Sequence, residues 1–123
     1  MWTLLSELLN QDDKYNNLIF TTQVYLKNLL NNTAKLNDEE LSYVKHNSSV
    51  DFVIYYKLNK QPLLVIEVDG FSYHENNVQQ SRRDVLKNGI LKKYDLPLLR
   101  LATTGSNEEE KIKNELDKVL MGG

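Results

Sequence analysis

Leu63-Leu64-Val65-Ile66-Glu67-Val68-Asp69-Gly70 decides how the rest of this 123-residue chain is read. Four apolar residues in succession beside a turn residue mark a strand buried on both faces. Such a strand normally excludes charge, because stripping water from an unpaired carboxylate is costly. Side chains alternate along a strand, so Glu67 and Asp69 leave from the same face. Either the two acids hold a metal ion or do acid–base work there, or the strand emerges into water and both are simply hydrated.

Working outward, residues 50–56 are β-branched and aromatic and read as a strand, residues 57–61 as a turn, and Pro62 as the start of the next strand, where a missing N–H is tolerated. Residues 50–69 therefore form a β-hairpin. If Lys57 faces Gln61 around a three-residue loop, Asp51 faces Glu67; a register displaced by two residues sets Asp51 against Asp69. Both place three carboxylates on one face, whereas an odd displacement sends Asp51 to the other side.

After the acids, residues 71–77 form a loop with His74 and Glu75. Asn77, with Gln80 three residues on, caps a helix over about 78–93 with an apolar stripe at Val78, Val85, Leu86, Ile90 and Leu91. Residues 96–101 are a second buried strand, entered through a turn at Tyr94-Asp95, so the helix is a crossover between parallel strands. Ser106 and Glu109 form a capping box for a last helix to about residue 120, whose first turn Glu108, Glu109 and Glu110 suit electrostatically. Before the hairpin, residues 3–10 read as an amphipathic helix and residues 18–25 as a strand. Residues 26–37 are ambiguous, and Asn37 with Glu40 caps a short helix over about 38–46. The expected fold is α/β in a single domain, 1–123: a mixed β-sheet, hairpin plus parallel β-α-β crossover, flanked by helices.

The composition, 41% hydrophobic and 26% charged, is that of an ordinary globular domain. Cysteine is absent, which excludes disulfides and thiolate metal sites and fits a cytoplasmic location. No membrane span or signal segment is visible. The opening Met1-Trp2-Thr3-Leu4-Leu5 has the character of an internal segment, so the chain is expected to be a domain of a longer protein. The net charge of −2 argues against a strongly basic nucleic-acid binder, yet residues 79–100 carry six basic and two acidic groups, net +4, directly after the carboxylates.

Asp51, Glu67 and Asp69 on one face would hold a hard cation such as Mg²⁺ or Mn²⁺ through oxygen ligands. The following helix carries Gln80, Arg82, Arg83, Asp84 and Lys87; Arg83 and Lys87 are four apart and face the same way. Cations beside a metal-binding acid cluster suit a phosphodiester substrate.

Taken jointly, Val50-Asp51-Phe52, Ile66-Glu67-Val68-Asp69-Gly70, His74, Gln80-x-x-Arg83-Asp84 with Lys87, and Pro97-Leu98-Leu99-Arg100-Leu101 resemble the PD-(D/E)XK nuclease superfamily, and within it the very-short-patch-repair-like endonucleases. Domains of this pattern also occur at the C-terminus of superfamily 1 DNA helicases. The resemblance covers about residues 3–118 and is sharpest over 50–103. It implies a restriction-endonuclease-like core, Mg²⁺- or Mn²⁺-dependent hydrolysis of DNA, and helicase domains in the parent chain. Asp51 matches the first metal-ligand acid and Glu67 the acid of the (D/E)-x-K pair. Asp69 stands where most of the superfamily has lysine, so Lys87 is the candidate for that lysine, displaced onto the helix. His74 matches a histidine acting as acid, base or supporting donor, and Glu7 an acid on the first helix. Gln80, Arg82, Arg83 and Lys87 become DNA contacts; Asp84 and Arg100 are supporting residues, with Arg83-Asp84 as a possible helix-to-sheet ion pair and Asp95 or the C-terminal acids as partners of Arg100. Two other readings stand beside the nuclease: a catalytically silent DNA-binding module of the same fold, and a protein-interaction domain with a structural acid cluster.

Overall fold

Four strands form one sheet in chain order, β1 (Leu18–Tyr25), β2 (Ser49–Tyr56), β3 (Pro62–Asp69) and β4 (Leu98–Ala102). The structure, a computed structural model, describes residues 1–69, 78–102 and 107–122, and the side chains of Asp69, Val78, Gln79 and Gln80 are outside that description. β1–β2 and β2–β3 are antiparallel, and β3–β4 is parallel. The α-helices among the described residues are α1 (Trp2–Gln11), α2 (Leu26–Leu29), α3 (Asp38–Lys45), α4 (Val78–Lys93) and α5 (Glu108–Gly122). The fold is α/β with a mixed sheet flanked by helices, as the sequence leads one to expect.

Alternation along the strands sorts the core into two layers. Ile54, Leu64, Ile66 and Leu101 pack against Leu5 and Leu8 of α1 and Ile112 and Leu116 of α5. Val53 and Val65 pack on the other side with Leu26, Val44, Ile90 and Leu91, from α2, α3 and α4. Each of these side chains is 0–2% exposed, and each such burial contributes about 1.5–3 kcal/mol. The ambiguous segment after β1 resolves as the single turn α2, made helical by burial of Leu26 and Leu29 and not by propensity. At α3 the expected capping box is present: Asn37 accepts from Glu40 N at 2.8 Å, and Glu40 accepts from Asn37 N at 2.9 Å.

The hairpin reaches its register by a different route from the one expected. Lys57 does not face Gln61. Instead Tyr56 N donates to Gln61 O and Lys60 N to Tyr56 O, both at 3.0 Å, with Lys60 left-handed at φ 60°. This longer loop sets Tyr55 against Pro62, an odd register. A bulge at Leu63 then restores the even one, Ile54 facing Leu64 and Phe52 facing Ile66. As a bulge requires, the consecutive residues Leu63 and Leu64 pack into the same layer. α4 ends in a left-handed residue, Asp95 (φ 56°), with Leu96 N donating back to Leu91 O at 2.9 Å. The proposed cap Asn77 and the capping box at Ser106 lie outside the described residues. No helix among the described residues is long and apolar enough to cross a membrane.

Candidate functional site

The pairing of β2 with β3 stops at Phe52–Ile66, although both strands continue. Beyond that point Ser49 and Val50 stay with Tyr25 and Val24 of β1, while Glu67, Val68 and Asp69 follow Arg100, Leu101 and Ala102 of β4. The sheet therefore forks, and a fork orphans backbone N–H groups unless something else accepts from them. Asp51 and Glu67 do so. Asp51 N donates to Glu67 Oε2 at 2.9 Å, and Val68 N donates to Asp51 Oδ2 at 2.8 Å. On the β1 side the ladder skips Gln23, which is left-handed at φ 51° and lies across from Asp51.

The remaining oxygen of Glu67, Oε1, is ion-paired with Lys87 from α4, whose Nζ also donates to Ser49 O at 3.0 Å. The two side chains are only 12% (Lys87) and 7% (Glu67) exposed. Burial pushes the Glu67 carboxyl above the usual range; Lys87 opposes that rise and Asp51 adds to it, with the net shift upward. Beside Lys87 on α4, Asp84 and Asn88, one turn apart, engage Arg100, the β4 neighbour of Glu67. Arg100 Nη1 lies 3.3 Å from Asp84 Oδ1, and Nη2 donates to Asn88 Oδ1 at 2.9 Å. Asp84, Lys87 and Asn88 thus fasten α4 across the fork.

Of the residues singled out in the sequence, the structure brings together Asp51, Glu67 and Lys87, with Asp84 and Arg100 beside them. The helix-to-sheet ion pair exists, but its partners are Asp84 and Arg100, not Arg83 and Asp84, and the described partners of Arg100 are on α4, not Asp95 or the C-terminal acids. The reason is register: β4 runs parallel to β3, so Arg100 emerges beside Glu67 under α4. Lys87 is turned inward to Glu67 and is 12% exposed. Arg82 pairs with Glu39 of α3 and stays largely exposed; Arg83 is exposed with no ion-pair partner among the described residues. Glu7 is exposed on α1, which packs on the opposite face of the sheet from α4, and does not join the cluster. His74 and the side chains of Asp69 and Gln80 lie outside the described residues. Asn88 was missed, although it lies one helical turn beyond Asp84; Ser49 takes part through its carbonyl, which no sequence signal marks.

Among the described residues no group of three His, Cys, Asp or Glu side chains gathers to hold a metal. Asp51 and Glu67 alone are a hard-oxygen pair, and Mg²⁺-type cations are held by one or two carboxylates with water filling the other positions. The donor chemistry of the fork therefore fits such a cation, with Asp69 two residues beyond Glu67 on the same strand.

No curated protein and no solved structure matches the chain. The family described as "Protein of unknown function (DUF2726)" matches residues 1–119. That match spans nearly the whole fold, fork and all, and the chain belongs to the DUF2726 family.

Proposed function

We propose that this domain is a metal-dependent nuclease hydrolysing DNA phosphodiester bonds, as its resemblance to the PD-(D/E)XK superfamily implies, and that it works in the cytoplasm as part of a helicase-type protein. The observation that carries the reading is the fork: two carboxylates, Asp51 and Glu67, meet where paired strands separate, with a lysine ammonium on one of them. A bound Mg²⁺ or Mn²⁺ would supply Lewis-acid activation of water and charge stabilisation on the phosphate. Asp51 and Glu67 would hold that ion, joined by Asp69 in the set the sequence implies. Lys87 keeps a positive charge beside the acids, in the role of the lysine that Asp69 replaces. Arg83, exposed one turn before Lys87, would meet a phosphate.

The test is cleavage of single- and double-stranded DNA in Mg²⁺ or Mn²⁺, with Glu67→Ala beside the wild type. Metal-dependent cleavage that disappears in the variant supports the nuclease. DNA binding without cleavage favours the silent module, a reading supported by the Lys87–Glu67 pair itself, which satisfies Glu67 without any metal. Neither binding nor cleavage leaves the protein-interaction domain.

A further inference from the structure

We propose that Lys87 is a displaceable counter-cation: its ammonium holds Glu67 until a divalent ion takes the same oxygen, so Lys87 sets the metal concentration at which the site fills. This rests on the metal-dependent reading above. Glu67 has two oxygens, and Oε2 is fixed by the backbone N–H of Asp51. Oε1 carries the Lys87 ammonium. A divalent cation bridging Asp51 and Glu67 must approach an oxygen that already carries a positive charge, and two cations cannot share it without strong repulsion in so enclosed a place. Removing the ammonium leaves buried Glu67 beside half-buried Asp51 without the Lys87 counter-charge, which favours a divalent ion.

The geometry also provides for the exchange. Lys87 Nζ has a second acceptor, Ser49 O at 3.0 Å, on the β2 arm of the fork. On leaving Glu67 the ammonium keeps a hydrogen bond and is not expelled into an apolar core. Arg100, the next cation along, does not take over the task, because its guanidinium is already engaged by Asp84 and Asn88. Lys87 is therefore a positioning residue for the site's charge, and its effect is read in metal affinity, not in turnover alone.

The experiment is calorimetric titration of the purified protein with Mn²⁺. Lys87→Met is expected to bind Mn²⁺ at least about tenfold more tightly than wild type, equivalent to about 1.4 kcal/mol. Lys87→Arg, which keeps the charge, should stay near wild type, and Asp51→Asn should lose the site. A second measurement uses the wild type alone, in case Lys87→Met folds poorly. Acetylation of each lysine by an amine-reactive reagent is followed by mass spectrometry, and at saturating Mn²⁺ the Lys87 rate should rise severalfold while exposed Lys92 is unchanged. Equal or weaker Mn²⁺ affinity in Lys87→Met, or an unchanged Lys87 acetylation rate with Mn²⁺ bound, overturns the displacement. No Mn²⁺ binding dependent on Asp51 in any form overturns it as well, but by removing the metal-dependent reading on which it rests.

Discussion

Replacing Lys87 on α4 with methionine keeps an unbranched apolar stem and removes the ammonium. The lost partner leaves Glu67, 7% exposed, with a single hydrogen bond from Asp51 N, and leaves Ser49 O without its donor. Breaking a buried ion pair from one side costs about 3–5 kcal/mol. The lower figure applies here because the pair retains slight solvent access and Glu67 keeps its backbone donor. About 3 kcal/mol in a domain of this size lowers Tm by roughly 12 °C. The cost depends on pH in a definite direction. Burial, above all, raises the folded pKa of Glu67 above its ordinary value of 4.5. A carboxyl raised in this way favours the folded state while protonated and loses that advantage as pH rises through the folded value. Without Lys87 the rise is larger, so Lys87→Met should be nearly harmless in acid and costly at neutral pH. Glu67→Gln/Lys87→Met, which removes both charges, should recover to within about 1 kcal/mol of wild type. Thermal unfolding followed by circular dichroism between pH 5 and 8 in EDTA checks this. A single-variant loss below about 0.5 kcal/mol, or one equally large at both pH values, would refute the reasoning.

Glu40 closes the capping box of α3 and pairs with Lys93 of α4. Against burial, which pushes its carboxyl up, Lys93 and Asn37 N hold it below 4.5, so its contribution is present above that pH and lost as pH falls through the folded value. Glu40→Ala should cost about 1–2 kcal/mol at pH 7 by urea denaturation, and progressively less in acid, with Glu40→Gln costing less because the cap survives. Gly89 lies inside α4, and among the described residues a methyl there would meet Glu40 Oε2, at 3.5 Å. Gly89→Ala should therefore stabilise by about 0.5–1 kcal/mol, and a lower Tm would show that α4 cannot accept the methyl. Burial, and then the 2.8 Å hydrogen bond to Asp117, push the Tyr15 phenol above the usual tyrosine range. An alkaline absorbance titration should show one of the seven tyrosines ionising only on unfolding. Tyr15→Phe should abolish that lag and cost about 1 kcal/mol.

Local signals were enough for the elements. The bounds of β1, the capped start of α3 and the extent of α4 follow from residues within a few positions of each other, where alternation, helical spacing and a side-chain cap act directly on the neighbouring backbone. The even hairpin register was also expected, from a three-residue turn between Lys57 and Gln61. Its mechanism was not: the turn gives an odd register, and the bulge at Leu63 corrects it, a choice made by the packing of Leu63 and Leu64 against α1 and α5.

For the site, the sequence by itself determined which residues carry the charge: Asp51 and Glu67 on the hairpin and a cation-rich helix after them. It did not determine which cation meets which acid. Arg83 and Lys87 share a face by spacing, and only the placement of α4 on the sheet sets Lys87 against Glu67 and leaves Arg83, one turn earlier, in water. That placement is tied to Ile90 and Leu91, both 0–1% exposed, which reach the layer containing Val53 and Val65. Arg100 finds Asp84 and Asn88 for the same reason, since the parallel pairing of β4 with β3 brings it under that face. Contacts between side chains twenty residues apart are fixed by how whole elements pack, and packing free energy is summed over the core, so no short stretch of sequence contains it.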